Sequence, residues 1–499
     1  MHLICEHLHQ PGGWLTPGIL DVDEAGIIRS VAAGSREDLA SMRGKQHDPR
    51  HQNIDGFVIP GLPNVHSHAF QRAMAGHAES APAPANSSAN ANLSANAISN
   101  ATHDFWSWRS QMYRVANAID PDTIEAIAAQ LYVEMLEAGM TSVGEFHYLH
   151  HAPDGRPYAR ASELSLRIVR ASRRAGIALT HLPVLYTRGG FDRPAETAQR
   201  RFIHRAFDAF IDLVAELQKE ITRKELIGDR PEEAALTRLG VAAHSLRAVP
   251  PDLLLALAQF ASETRTRAAS PGSSLPIHIH VAEQTTEVDE CVQRLGARPV
   301  EWLLANADVS PAWCLVHATH MTPREREEVA ARGAVVGLCP TTEANLGDGF
   351  FEAEDFIAHE GRFGIGSDSH VSVSGTEELR WLEYGERLRQ RRRNILTPAQ
   401  TLYERAVSGG AQALGQPVGA LTPGARADLV ALDAHHPALA GHTPATVFDA
   451  FLFGRGDGAI RDVMVGGRWC VRDGRHLERE AIRQDFRRAL SALKASWSA

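Results

Sequence analysis

The chain has 499 residues, 44% of them apolar, and a net charge of −9. That length suits one large barrel domain with a smaller companion rather than a single helical bundle. The acidic balance lacks the basic footprint that nucleic-acid binding needs, so DNA and RNA are excluded as partners. No run of about 18 apolar residues is present to span a bilayer, and the first residues lack the charged and apolar regions of a secretory signal. A cytoplasmic location with no membrane partner is therefore expected. The five cysteines, Cys5, Cys291, Cys314, Cys339 and Cys470, are scattered without a CxxC pair. They are expected to be reduced thiols, with no disulfide and no cysteine zinc site.

Residues 1–60 alternate short apolar runs with Gly, Pro and Asp, as in Gly18-Ile19-Leu20-Asp21-Val22, which is a strand-and-turn texture. Residues 421–499 repeat it in Ala427-Asp428-Leu429-Val430 and Val463-Met464-Val465-Gly466, before a C-terminal helix. Both ends are expected to pair into one small β-sandwich outside a main domain at 61–420. That domain opens on His66 and His68, which follow an apolar, turn-punctuated run. In a strand, residues two apart face the same way, so both imidazoles can reach one cation.

The spacing predicts helices over 123–138 and 160–175, ending at Gly139 and Gly176. Short apolar runs follow or separate them: 141–146, 177–185, 239–244, 277–281, 314–317, 334–339 and 363–368. With the strand ending at His66 these make eight, the number a (β/α)8 barrel requires, and such barrels keep their chemistry at the C-terminal strand ends. Polar residues fall at those ends: His66 and His68, Glu145 and His147, His181, His244, His280, His317 and Asp368. Two segments interrupt the plan. Residues 80–101 are rich in Ala, Asn, Ser and Pro, and 264–274 in Arg, Ala, Ser and Gly; both read as surface loops.

Two histidines, a third histidine and an aspartate offer nitrogen and oxygen donors suited to one divalent metal, zinc first and iron as the alternative. Glu283 stands three residues beyond His280, where its carboxylate can curl back as a base.

The order Gly61-Leu62-Pro63-Asn64-Val65-His66-Ser67-His68, then His280-Val281-Ala282-Glu283, His317 and Gly366-Ser367-Asp368 resembles the amidohydrolase superfamily, in its mononuclear deaminase branch. Val241-Ala242-Ala243-His244 occupies the place of the strand-four lysine of binuclear members, so one metal is expected. More particularly, 66–76, 105–113, 145–151, 243–249 and 280–284 resemble the formimidoylglutamate deiminases of bacterial histidine degradation. That resemblance implies hydrolysis of N-formimidoyl-L-glutamate, a dicarboxylate, to N-formyl-L-glutamate and ammonia. It implies His66, His68, His280 and Asp368 as metal ligands, with Glu283 as proton shuttle and His317 and Asp368 as its catalytic companions. It also implies substrate contacts from Gln71, Arg109, Tyr148, His244 and Arg247, and a homodimer. Arginines suit two carboxylates because a planar guanidinium binds each bidentately. The alternative is a mononuclear deaminase acting on a nucleobase or related heterocycle, of the guanine, cytosine or S-adenosylhomocysteine type.

Overall fold

The computed structural model describes residues 1–35, 37–38, 51–77, 79, 105–223, 235–264 and 274–497, with side chains for all of these except 105–107 and 495–497. The low-complexity segment expected at 80–101 lies outside the described residues, as does most of the connection at 264–274.

Eight parallel strands close into a barrel: β1 (Leu62–Ser67), β2 (Met140–His147), β3 (Ala178–Leu185), β4 (Thr237–Leu239 and Val241–Ala243), β5 (Ile277–Val281), β6 (Trp313–His317), β7 (Val335–Leu338) and β8 (Arg362–Ile365). The seam joins β8 to β1 through Ile365 and Asn64, and is prolonged by a bridge between Ser67 and Asp368. Asn64 fastens it from below. Its amide donates to Ser367 Oγ at 2.7 Å, while its carbonyl accepts from the His66 and Ser367 backbone nitrogens, both at 3.2 Å. The strand ends on either side of the closure are thus held by side-chain bonds, not by the ladder alone.

The helices obey local rules. Pro121–Glu137 starts where Asp120 accepts from Thr123 N at 2.7 Å with Pro121 in the first turn. It ends before Gly139, whose φ of +80° lets the chain double back into β2. Glu163–Ala175 begins three residues later than its sequence pattern suggests and ends at Gly176, φ +81°. Ala399–Leu414 lies against β8 and β1 at very short range: a Cβ on Gly409 would stand 1.9 Å from the Phe363 carbonyl oxygen.

The two ends of the chain meet as expected. His51–Pro60 pairs antiparallel with Leu429–Leu432, joining N- and C-terminal strands in one mixed, nine-stranded sheet. Alternation along its strands divides the side chains between two cores. Val58, Leu429, Ala431 and Met464 join Leu3, Leu20 and Ile28 in a small core of the sheet's own. Phe57, Ile59, Val430, Leu432 and Val463 face the large core shared with the barrel. All five cysteines are free and buried. Among the described residues, no helix is long and apolar enough to cross a membrane.

Candidate active site

β1 delivers His66 and, just past its end, His68 to the barrel mouth, while β5 delivers His280 and the turn after β8 delivers Asp368. Their donor atoms converge. His66 Nε2 is 3.1 Å from His68 Nε2 and 3.0 Å from His280 Nε2, and Asp368 Oδ1 lies 3.4 and 3.3 Å from His66 and His68. The Phe146 carbonyl accepts from His68 Nδ1 at 2.9 Å, so this ring keeps its proton on Nδ1 and turns a bare lone pair inward. A proton on His66 Nε2 would satisfy one of its two imidazole neighbours and leave the other facing it unpaired. A cation among them satisfies all. Ligand atoms about 2.1 Å from a tetrahedral zinc stand about 3.4 Å apart, close to the spacings found here. Burial holds all three imidazoles in the neutral, ligating form, His68 down to about 3 and His280 well below its ordinary range. Asp368 is the anionic member: burial opposes its charge, but the hydrogen bond to His66 and the neighbouring His317 hold it well below the usual carboxylate range. The residues present therefore fit one divalent ion.

Beside the quartet stand Glu283 and His317. Glu283 Oε1 is 3.8 Å from His317 Nε2, and Asp368 Oδ2 is 3.9 Å from the same nitrogen. His317 is anchored from behind by Glu343, whose Oε1 accepts from Nδ1 at 3.3 Å and from Cys339 N at 2.9 Å. Burial alone would depress the His317 imidazole, but Glu283, Glu343 and Asp368 override it and push its pKa up to about 10. Backbone strain accompanies this convergence: Ala282, His317, Ala318 and Asp368 all adopt positive φ, between +42° and +66°, without being glycine. Each costs about 1 kcal/mol or more, and turns a strand end sharply toward the mouth.

A pocket opens above these groups. All five residues expected at the substrate, Gln71, Arg109, Tyr148, His244 and Arg247, line it together with His68, His280, Glu283, His317 and Asp368. His66 lies beneath, fully buried. Gln71 donates to the Tyr148 hydroxyl at 3.0 Å and keeps its carbonyl oxygen buried without a hydrogen-bond partner. Arg109 bonds the Tyr113 hydroxyl and lies 5.1 Å over that ring. Arg247 sits between Glu283 and Glu287.

Three strand-end residues do not join the site. In β2, side chains alternate, and Phe146 takes the inward place, its ring 4.3 Å from His280. Glu145 and His147 therefore face the helices. Glu145 accepts from Ser67 Oγ, Ala69 N and Tyr132 OH, and burial raises its pKa to about 7 against those donors. His147 packs against His181 at 5.3 Å, and His181 lies within β3, four residues short of its end. Sequence reasoning passed over Glu287 and Glu343. Each opens a helix after a barrel strand, the one sequence signal available, but helix starts favour acidic residues everywhere.

Comparison with known proteins places the chain among relatives of known family. Formimidoylglutamate deiminase of Pseudomonas aeruginosa is 47% identical over 98% of this chain and 99% of its own length. The 8-oxoguanine deaminase of the same organism is 27% identical, over 96% and 95%. Among solved structures, an amidohydrolase from Brucella melitensis superposes with a TM-score of 0.83 at 40% identity, covering 99% of both chains. An adenosine deaminase from Xanthomonas campestris with bound zinc gives 0.76 at 20% identity over 99% and 98%, a likeness of fold. Residues 57–470 match the amidohydrolase family, and the chain belongs to it.

Proposed function

We propose that this protein is a metal-dependent deiminase that hydrolyses N-formimidoyl-L-glutamate to N-formyl-L-glutamate and ammonia, a step of histidine breakdown. One observation carries the reading: three of the four proposed metal donors, His68, His280 and Asp368, face one pocket together with the buried Glu283 carboxylate and two arginines. The arginines ask for an anionic ligand, and the hydrolytic group stands where that ligand's other end must lie.

The metal is held by His66, His68, His280 and Asp368, zinc being the first choice and iron the second; the zinc-bound adenosine deaminase of the same fold supports that order. Such an ion supplies Lewis acidity and lowers the pKa of water from 15.7 to about 7, which makes a nucleophile at neutral pH. Glu283 takes the proton of the attacking water as oxygen joins the formimidoyl carbon. His317, cationic and anchored by Glu343, stabilises the charge that develops there. Glu283 then returns its proton to the terminal nitrogen, the carbon–nitrogen bond breaks, and ammonia leaves while the formyl group stays on glutamate. Gln71 Oε1 is a buried acceptor suited to an amidine N–H. Arg109 and Arg247 take the two carboxylates, with Tyr148 and His244 beside them.

The runner-up, a heterocycle deaminase, draws on the aromatic wall of Trp108, Tyr113, Tyr148, Tyr186 and Phe202. Tyr113, Tyr148 and Tyr186 meet Phe202 tilted or edge-on, Tyr148 at 87°, and the Tyr113 and Tyr186 hydroxyls accept from Gln199 Nε2. Tyr113, Tyr148 and Tyr186 are thus engaged with Phe202 and not stacked in parallel. The test is ammonia release by the zinc-loaded protein from formimidoylglutamate, guanine, cytosine and S-adenosylhomocysteine. Turnover confined to formimidoylglutamate supports the proposal, and preference for a base overturns it.

Three coarser points complete the proposal. The barrel unit is proposed at 61–420 between two sheet-forming segments, 1–60 and 421–499, the last ending in a helix; Gly61 between the strand His51–Pro60 and β1 supports the first boundary. The free cysteines suit a cytoplasmic enzyme. A homodimer rests on the family resemblance, and sedimentation tests it.

A further inference from the structure

We propose that Arg247 makes turnover, and not binding alone, conditional on a substrate carboxylate: its guanidinium restrains Glu283 until that carboxylate draws it away. This deepens the functional reading above and rests on it. Arg247 lies between two buried glutamates at the start of one helix, its Nη2 3.4 Å from Glu283 Oε2 and its Nε 3.8 Å from Glu287 Oε1. Both distances are long for a charged pair, where about 2.7–2.9 Å is usual. Arg247 Nε and Glu287 Oε1 are buried with no hydrogen-bond partner. The guanidinium is thus enclosed but poorly satisfied, and it faces the pocket.

Neither glutamate closes on it. Glu287 Oε2 is committed to the backbone nitrogen of Glu283 at 3.1 Å. Glu283 points its other oxygen toward His317 Nε2, at 3.8 Å, so its carboxylate is shared between the arginine and the reacting side of the pocket. A carboxylate arriving at Arg247 forms a shorter, bidentate pair and takes over the guanidinium. Three carboxylates then share one cation. Their repulsion is relieved when one of them accepts a proton, and Glu283 alone stands beside the reacting centre. The proton it accepts is the one that leaves the attacking water and later departs with ammonia. Binding at the distal end of the pocket therefore promotes proton transfer at the near end. A plain clamp would do less, lowering KM and leaving kcat unchanged.

The test uses zinc-loaded wild-type protein and three substrates: formimidoylglutamate, N-formimidoyl-4-aminobutyrate, which lacks the α-carboxylate, and N-formimidoyl-2-aminobutyrate, which lacks the side-chain carboxylate. Ammonia release is followed with and without acetate. For whichever analogue leaves Arg247 empty, kcat is expected to fall about 100-fold, the lower end of what a positioned proton-transfer group contributes. Acetate, seated at Arg247 without a tether, is expected to restore kcat about tenfold in a saturable way, part of the advantage lost with the tether. A kcat for both analogues within about twofold of the parent's, with KM alone raised, is the signature of uniform binding and overturns the proposal. A fall in kcat that acetate does not relieve also overturns it, because loss of orientation then explains the fall. Absence of turnover with formimidoylglutamate itself defeats the functional reading and this inference together, so the two failures are distinct.

Discussion

Replacing Glu343 by glutamine removes one negative charge from behind His317 while leaving an oxygen to accept its hydrogen bond. In the native protein that oxygen is 3.3 Å from His317 Nδ1 and 2.9 Å from Cys339 N. A hydrogen bond to a charged group contributes about 1.5–3 kcal/mol and a neutral one about 0.5–1.5, so the substitution removes about 1–1.5 kcal/mol. That equals about one pKa unit for the imidazole and about a tenfold change in a rate that depends on its protonated form. The sign follows from the native imidazole being pushed up to about 10 from an ordinary 6.5. The folded state favours the cation, so the stabilisation is complete below pH 6.5, declines as pH rises, and is lost above about 10. In Glu343→Gln the alkaline limb of kcat/KM for ammonia release is expected to move down by about one pH unit. Thermal denaturation at pH 8 is expected at a lower Tm. An alkaline limb in the same place, with kcat/KM unchanged across it, would refute the role given to His317 and its anchor.

Other outcomes test different parts of the account. Glu283→Gln is expected to keep its metal, measured by elemental analysis, and to lose about 10²–10⁴-fold in kcat; a metal-replete variant with near-normal ammonia release would remove Glu283 from the mechanism. Dialysis against a chelator is expected to abolish turnover and lower Tm, both returning with added zinc, since the four donors bind the folded state alone; activity that survives complete metal removal contradicts the quartet's role. Gly409→Ala would ordinarily favour a helix by about 1 kcal/mol. Here the new methyl would lie 1.9 Å from Phe363 O, so a net loss of about 1–3 kcal/mol is expected in urea unfolding. An unchanged or raised midpoint would mean that the helix is not pressed against β8 as described.

Much of this architecture was legible because it rests on periodicity and on spacing. The eight apolar runs correspond to the eight barrel strands to within a few residues, and Gly139 and Gly176 end their helices as their conformational freedom allows. The His66 and His68 pair was readable for the same reason, since a two-residue period fixes a shared face. The failures have the same origin. That period cannot say which face turns inward, and at β2 the inward place went to Phe146, which sent Glu145 and His147 outward. His181 was read as a strand end because nothing in the apolar run 177–185 marks where the polar layer lies. Glu287 and Glu343 acquire meaning through partners 40 and 26 residues away, Arg247 and His317, and no local pattern encodes such pairs.

The central claim is that Glu283 delivers its proton to the terminal nitrogen of the formimidoyl group, so that ammonia leaves and the formyl group remains on glutamate. Hydrolysis of the same carbon in the other direction would release formamide and free glutamate. Proton and carbon-13 NMR of a complete turnover, using substrate labelled at the formimidoyl carbon, separates the two directly. All of the label is expected in N-formylglutamate, with one ammonia released for each substrate consumed. Label in formamide would contradict it.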